Sequence, residues 1–555
     1  MSKQRVLAIC LDAFDAATAR KMMAEGKLQG LKRFMDKSAR FDLEHGPDNT
    51  ARYTGLTMEH FASGMKPETA QKWSVVGFDK ENYKAIQSHA TLKPFFADLD
   101  SKVVVLDHPY FDMEGYTNIQ GVVGWSGHDV GVNTFCYPDG LIDELNDKFR
   151  PPSTHHELNS MVYPSEQQTS DMADNLIAST KNRTDVAEWM FSERFPDWDA
   201  AVMAYGESHD AIEIFLHGIM DDHHVAHMPS AKPARRGLEG VYEEISNGIE
   251  RLSQKFPDAK IVIFTMHGMG HSDTDLMDMI LLPELMYRWN FDKTMFRPRE
   301  DWKNAKSPSL RPGEAWEAAI TNQLTHSLDE QIRTLVPRTT RKVGQILDKV
   351  IGKKDEQEDD HRPRSQPGAS RVFGMEWMPA DCYSPYWPRM KAFALPSYFA
   401  APIRVNLKGR ESKGTVELSE YKALLDEIEQ EVRACRDIKT GEPVVKYLTR
   451  PGEDDPLNLP DTQGDIMIIW EGSPIGFRHP RFGDIGPAPC RRMGGHSGGY
   501  GAMWMKAEGI EPGDYGLRSS FDVAPTVVDL MGKVRPNYMD GDSVLNIVRR
   551  MEPAE

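Results

Sequence analysis

The stretch Arg5-Val-Leu-Ala-Ile-Cys-Leu11, followed directly by Asp12, is a short, uninterrupted apolar run that ends in a carboxylate. Such a run is typical of a strand buried on both faces of a parallel sheet. Helical patterns separate it from similar runs, and this alternation predicts an α/β fold with a mostly parallel central sheet and helices on both faces. The further candidate strands are Lys102–Leu106, Ala200–Tyr205, Lys260–Thr265 and Asp465–Trp470.

The alternation stops near residue 300, which predicts a core interrupted by other structure. Residues 1–300 are expected to form the first part of the core. Residues 301–390 are rich in Trp, Pro and charge and are interpreted as a helical or irregular insertion. Residues 391–454 combine strand and helix patterns and predict a small α+β lid, and residues 455–555 complete the core.

Composition excludes several classes of protein. The 555 residues are 40% hydrophobic and 27% charged, so the chain can bury a large core. A formal net charge of −18 disfavours a nucleic-acid polymer as partner. The chain has no apolar stretch long enough to span a membrane, no export signal at its start and five scattered cysteines. We expect a cytoplasmic protein without disulfides, and self-association stays open.

Acidic and imidazole side chains follow the predicted strands. Asp12 ends the first run, His209 and Glu213 come after Ala200–Tyr205, His267 follows Lys260–Thr265, and His496 lies in a glycine-rich loop interpreted as following the last core strand. Ligands bind at the carboxyl edge of an open parallel sheet, and carboxylate and imidazole groups suit zinc or manganese. Each residue alone has a simpler reading, as a turn residue, a surface pair or a solvated histidine.

Hydroxyl side chains precede and begin a predicted helix at residues 49–67, and any of Thr50, Thr54, Thr57 and Ser63 is a candidate nucleophile. A hydroxyl at the start of a helix faces unpaired backbone amides and the positive end of the helix dipole, which favours phosphoryl binding. The alternative is that these residues only cap the helix.

Several motifs together resemble the alkaline phosphatase superfamily, and within it the type I phosphodiesterase/nucleotide pyrophosphatase branch. Leu11-Asp12-Ala-Phe-Asp15 is similar to the opening motif of that branch, and Thr54 precedes Ser63-Gly-Met-Lys-Pro67 at the spacing of its nucleophile. The run Phe521-Asp-Val-Ala-Pro-Thr-Val-Val-Asp-Leu-Met-Gly532, with Met539-Asp-Gly541, resembles its C-terminal motif.

The resemblance implies one or two divalent metal ions per chain. It assigns Asp12, Thr54 and His267 to one metal site, and His209, Glu213 and His496 to the other. Two positions depart from the family pattern. Met266 stands where an Asp usually precedes the histidine, and Glu213 stands where a His is usual, although the frame Glu213…His217 also fits the spacing.

The resemblance implies hydrolysis of phosphate mono- or diesters, with Thr54 as the attacking group. A sulfatase is disfavoured because no cysteine lies in the motif which that class requires. Arg404, Asn406 and Arg410, in and after a lid strand, are candidate substrate contacts, with a solvated edge strand as the alternative. Two other readings stay open: a phosphotransferase or mutase on the same fold, and a non-catalytic binding relative that has lost one metal site.

Overall fold

A mixed central sheet of nine strands organises the described part of the chain in the computed structural model. The described residues are 5–46, 56–88, 91–125, 134–149, 165–271, 274–311, 313–325, 372–398 and 400–548. Five of the eight neighbouring strand pairs in this sheet are parallel. Across the sheet, the strands lie in the order Gly513–Ser519, Ala39–Glu44, Tyr500–Lys506, Ala259–His267, Arg5–Leu11, Ala200–Tyr205, Val103–Leu106, Ile119–Val123 and Phe135–Tyr137.

The strand Arg5–Leu11 lies in the middle of this sheet and is buried on both faces. Leu7, Ile9 and Leu11 pack in one hydrophobic cluster, whereas Val6, Ala8 and Cys10 pack in another on the opposite face. Successive side chains of a strand point to opposite faces, so a strand apolar at every position requires cover on both. The α/β class with helices on both faces is therefore confirmed.

The helices that cover the central sheet divide between these two clusters. Those that pack with Leu7, Ile9 and Leu11 are Ala16–Ala24, Gln29–Met35, Leu141–Lys148, Glu166–Trp189, Glu207–Phe215 and Ala231–Lys255. Those on the opposite face are Thr57–Ser63, Val523–Leu530 and Leu545–Val548. Asp15 caps the first helix, since its carboxylate accepts a hydrogen bond from the Thr18 amide at 2.7 Å. None of the described helices is both long and apolar enough to cross a bilayer.

A third hydrophobic cluster joins a smaller antiparallel sheet to several helices. The four strands of this second sheet are, in spatial order, Ala392–Ala394, Ala401–Val405, Ile466–Trp470 and Val445–Thr449. The helices of this cluster are Leu282–Phe291, Glu300–Lys303, Trp316–Thr321 and Tyr421–Ala434. Three short sheets complete the described part of the chain. The first contains Val76–Asp79, Lys84–Ser88 and Val372–Gly374, and the second contains Arg436–Asp437, Phe477–His479 and Gly483–Ile485. The third pairs Gly270–His271 with Gly494–Gly495.

Two strand assignments differ from the sequence predictions. Ile466–Trp470 is an antiparallel strand of the second sheet, not a parallel strand of the central one. Its alternating buried and half-buried residues show that one face is less covered, which a short apolar run does not reveal. On the side away from Arg5–Leu11, Ala259–His267 pairs with the antiparallel strand Tyr500–Lys506. His496 therefore precedes a core strand and does not follow the last one. The domain boundaries given above stay a prediction.

A buried charge cluster connects the helix Glu166–Trp189 to the central sheet. Arg183 contacts Glu207 at 2.7 Å and Asp107 at 3.0 Å, and all three side chains are buried. Removing the cation takes the positive charge away from two buried carboxylates, which is far more costly than losing a surface pair.

We expect Arg183→Met to lower the free energy of unfolding by about 3–5 kcal/mol. The matched control is Lys181→Met on the same helix, whose exposed pair with Asp185 should contribute at most about 1 kcal/mol. Urea unfolding followed by circular dichroism measures both. Equal effects of the two substitutions would contradict the assignment.

Candidate metal centre

The helix Glu207–Phe215 begins directly after the strand Ala200–Tyr205 and carries two of the predicted ligands. His209 and Glu213 lie one turn apart on it, and both are buried, at 5% and 4% exposure. The His209 Nε2 atom lies 3.1 Å from Glu213 Oε1. The pair therefore faces the interior at the carboxyl edge of the sheet and is not a surface pair.

His496 approaches this pair from the other side. It follows the short strand Gly494–Gly495, which pairs with Gly270–His271. At Gly494 a Cβ atom would lie 2.3 Å from the Ile212 carbonyl oxygen, so only glycine permits this contact with the helix. One ligand atom from each of His209, Glu213 and His496 lies within 4.8 Å of the others. The structure thus brings together the three residues that the resemblance assigns to one metal site.

Asp12 and His267 lie beside this triad. The Asp12 Oδ2 atom is 3.4 Å from His209 Nδ1, and the ring of His267 is centred 4.9 Å from that of His496. The Ser208 hydroxyl donates to the Asp12 carbonyl at 2.7 Å, which joins the end of the first strand to the helix. Five of the six predicted ligand residues line one cleft, and the sixth, Thr54, lies outside the described residues.

The hydrogen bonds of His267 suit a metal ligand. Its Nδ1 atom lies 3.0 Å from the Gly268 carbonyl oxygen, so this nitrogen is the donor and Nε2 is the nitrogen that can bind an ion. Three imidazoles and two carboxylates form a donor set that zinc and manganese both accept. The residues present therefore fit one or two divalent ions.

The charges of the cluster depend on His209. Burial lowers its pKa, but the carboxylates of Glu213 and Asp12 have the larger combined effect and raise this pKa to about 10. The Arg492 guanidinium also contacts Glu213. Without a metal ion, the protonated ring of His209 and Arg492 thus balance the two buried carboxylates, and a bound cation would replace the proton on His209.

The predicted nucleophile Thr54, like Thr50, lies outside the described residues. Thr57 is described and lines the same cleft, in the first turn of the helix Thr57–Ser63. Ser63 lies at the other end of this helix and donates to the His60 carbonyl. Of the described hydroxyl candidates, Thr57 therefore lies on the cleft and Ser63 does not, while Thr50 and Thr54 stay predictions.

Met266 does not face the cleft. Its side chain is buried in the hydrophobic cluster on the opposite face of the sheet from His209. A different carboxylate, Asp275, lines the cleft and contacts Arg491 at 2.8 Å. Sequence reasoning missed Asp275, because it does not directly follow a predicted core strand. It also missed Arg492, although this residue lies only four positions before the candidate ligand His496.

The alternative ligand His217 does not belong to the cleft. It is buried, its Nε2 atom lies 3.0 Å from the Ser230 hydroxyl, and burial lowers its pKa to about 4. The nearby His223 and His224 contact the carbonyl oxygens of Met493 and Ser473. The frame Glu213…His217 is therefore not supported.

Arg404, Asn406 and Arg410 are buried and do not line the cleft. Arg404 contacts Glu411 at 2.7 Å and Arg410 contacts Asp465 at 2.7 Å. Asn406 accepts a hydrogen bond from the Tyr83 hydroxyl and donates to the Met390 carbonyl. Some of these partners lie far along the chain, and together they hold the three side chains in a buried network. The geometry therefore supports neither a solvated edge strand nor substrate contact by these three residues.

No protein-family model matches the sequence, and no curated protein matches it. Three solved structures similar to this chain are murine ectonucleotide pyrophosphatase/phosphodiesterase 5 (9% identity, TM-score 0.45, 98% of each chain covered), phosphonoacetate hydrolase from Sinorhizobium meliloti 1021 in complex with phosphonoformate (12%, 0.42, 95% of this chain and 96% of the other) and wild-type alkaline phosphatase PafA (12%, 0.49, 99% of each chain).

At identities of 9–12% and TM-scores below 0.5, these similarities do not show the family of this chain. What these proteins act on is not carried over to this chain on that basis.

The raised pKa of His209 predicts how the stability of the metal-free chain depends on pH. Protonated His209 stabilises the folded state fully below its unfolded pKa of about 6.5, and this contribution is lost as the pH rises through about 10. In EDTA, the difference in thermal midpoint between the wild type and His209→Gln should be largest near pH 6 and should shrink towards pH 10. A difference that grows with pH would contradict this charge assignment.

Proposed function

We propose that this chain hydrolyses phosphate mono- or diesters with one or two bound divalent metal ions, through a threonine nucleophile. The observation that carries the proposal is the convergence of His209, Glu213 and His496, with ligand atoms within 4.8 Å of one another, in a cleft also lined by Asp12 and His267. The five residues come from four distant segments of the sequence. Such convergence of buried ionisable groups in a cleft is typical of a functional site.

The ions would be held by His209, Glu213 and His496 on one side and by Asp12 and His267 on the other. When bound, they supply positive charge that stabilises the negative charge developing on the phosphoryl oxygens. The cleft also has an apolar side, formed by Leu56, Met58, Val75, Tyr110 and Tyr398, which can receive the organic part of an ester.

In the proposed reaction, the hydroxyl oxygen of Thr54 forms a bond to phosphorus while the bond from phosphorus to the leaving oxygen breaks, and the hydroxyl proton leaves with the departing alcohol. Water then releases phosphate, or the remaining monoester, and restores the threonine. Arg492 lines the cleft, and its guanidinium can bind a phosphoryl oxygen. The net charge of −18 favours a small ester over a nucleic-acid polymer as the substrate.

The nucleophile can be tested by a matched pair of substitutions. With zinc or manganese present, the wild type should hydrolyse p-nitrophenyl phosphate or bis-p-nitrophenyl phosphate. Thr54→Ala should reduce kcat at least about a thousandfold, because the attacking oxygen is lost, whereas Thr57→Ala should keep most of the activity.

The two outcomes of this assay that oppose the proposal differ in meaning. No turnover by the wild type with either metal would end the proposed function. Full activity of Thr54→Ala with loss in Thr57→Ala would keep the hydrolase and move the nucleophile to Thr57.

A non-catalytic binding protein is the second candidate, and two observations favour it. Met266 occupies a position where the resembled family has a carboxylate, and Arg492 contacts the ligand Glu213. Elemental analysis separates the candidates. For a hydrolase, we expect about one or two zinc or manganese ions per purified chain, and at least a tenfold weaker zinc affinity in His496→Ala, because this substitution removes a ligand. A wild-type chain that binds neither metal would favour the second candidate.

A further inference from the structure

The segment that carries His496 is held in place at Met493. The Met493 amide donates to the carbonyl oxygen of Glu213 at 2.8 Å, which ties the segment to the helix bearing the other two ligands. The Met493 carbonyl oxygen lies 2.8 Å from the Nε2 atom of His223. Met493 therefore lies between a residue of the predicted metal centre and a histidine outside it.

The partners of His223 define its hydrogen bonds. A carbonyl oxygen only accepts, so Nε2 must donate to Met493, while Nδ1 accepts from the Val225 amide at 3.2 Å. The ring is buried, and burial lowers its pKa to about 3, so the neutral form that makes both bonds persists. The ring also stacks on His271, with centroids 5.1 Å apart and planes inclined by 16°.

His271 strengthens this arrangement through its backbone. It pairs with Gly494, two residues before His496, in the short antiparallel ladder. Gly494 in turn lies against the helix at Ile212. Residues 493–495 are therefore fixed on one side by the helix Glu207–Phe215 and on the other by the stacked pair of His223 and His271.

We propose that His223 is a positioning residue that sets the place of His496 relative to His209 and Glu213, and so sets the metal affinity of the site. The inference rests on the metal centre of the proposed function. His223 itself is not among the clustered ligand groups of the described residues. Residues that hold metal ligands in place typically change metal affinity by about 10- to 100-fold when they are replaced.

Two amide substitutions at one position test the proposal. In His223→Gln, the amide nitrogen can reach the place of Nε2 and donate to Met493. In His223→Asn, the shorter side chain reaches only the place of Nδ1 and can keep the bond from Val225. Zinc affinity of the full chain, measured by competition with a chromogenic chelator, should fall about 10- to 100-fold in His223→Asn and stay within about threefold of the wild type in His223→Gln.

The control is His224→Asn, which removes a similar bond from the same turn. His224 Nε2 lies 3.0 Å from the Ser473 carbonyl oxygen, so its hydrogen bond does not involve Met493. Its zinc affinity should stay within about threefold of the wild type. Thermal midpoints in EDTA show the purely structural cost of each substitution, which is not expected to follow the order of the zinc affinities. If His223→Asn does not fold, His223→Met, which has no donor, replaces it with the same expectation.

The outcomes separate this inference from the proposed function. A wild-type chain that binds no zinc would end both. A wild-type chain that binds zinc, with equal affinity in His223→Asn, would overturn the inference alone. Equal losses in His223→Gln and His223→Asn would also overturn it, because the donor to Met493 would then not be what matters.

Discussion

Two buried carboxylates on either side of one imidazole are the constraint on which this site depends. Asp12 and Glu213 both lie within 3.4 Å of His209, and all three side chains are buried. Buried anions at this separation are unfavourable unless positive charge lies between or beside them. A protonated histidine and Arg492 meet this need in the metal-free chain, and the proposed divalent cations would supply the same positive charge.

The central sheet holds these charged side chains at its edge while its interior stays apolar. The strand Arg5–Leu11 is apolar at every position, so its two faces supply hydrophobic burial while its carboxyl end carries Asp12. The neighbouring strands Ala200–Tyr205 and Ala259–His267 run parallel to it and end at the same edge. Charged side chains thus collect where the backbone leaves the sheet, and the interior of the sheet stays apolar.

Much of the site could be predicted because it follows from strand ends. Uniformly apolar strands are recognisable in the sequence, and the residues after them must share one edge, which led to Asp12, His209 and His267. His496 was also placed at this edge, from its glycine-rich loop, but the strand Tyr500–Lys506 that follows the loop was not recognised. Ile466–Trp470 was assigned to the central sheet because a short apolar run does not tell which sheet it joins.

The predictions that the structure does not support concern side chains whose partners lie far along the chain. Arg410 looks solvated in the sequence, and only the fold brings Asp465 to it. His223 looks like one of several polar-loop histidines, yet its place is defined by Met493, which is 270 residues away. Local patterns report periodicity and capping, whereas partners of this kind depend on tertiary packing.

The position of Tyr500–Lys506 in the sheet affects how the chain can fold during its synthesis. This strand lies between Ala39–Glu44 and Ala259–His267, so the two parts of the sheet are joined only after residues 500–506 have been synthesised. While the polypeptide is still being made on the ribosome, the long edge of Ala259–His267 is open to mispairing. His496 is synthesised just ahead of that strand, so the proposed metal site is completed only after the strands that carry Asp12, His209 and His267 have been made.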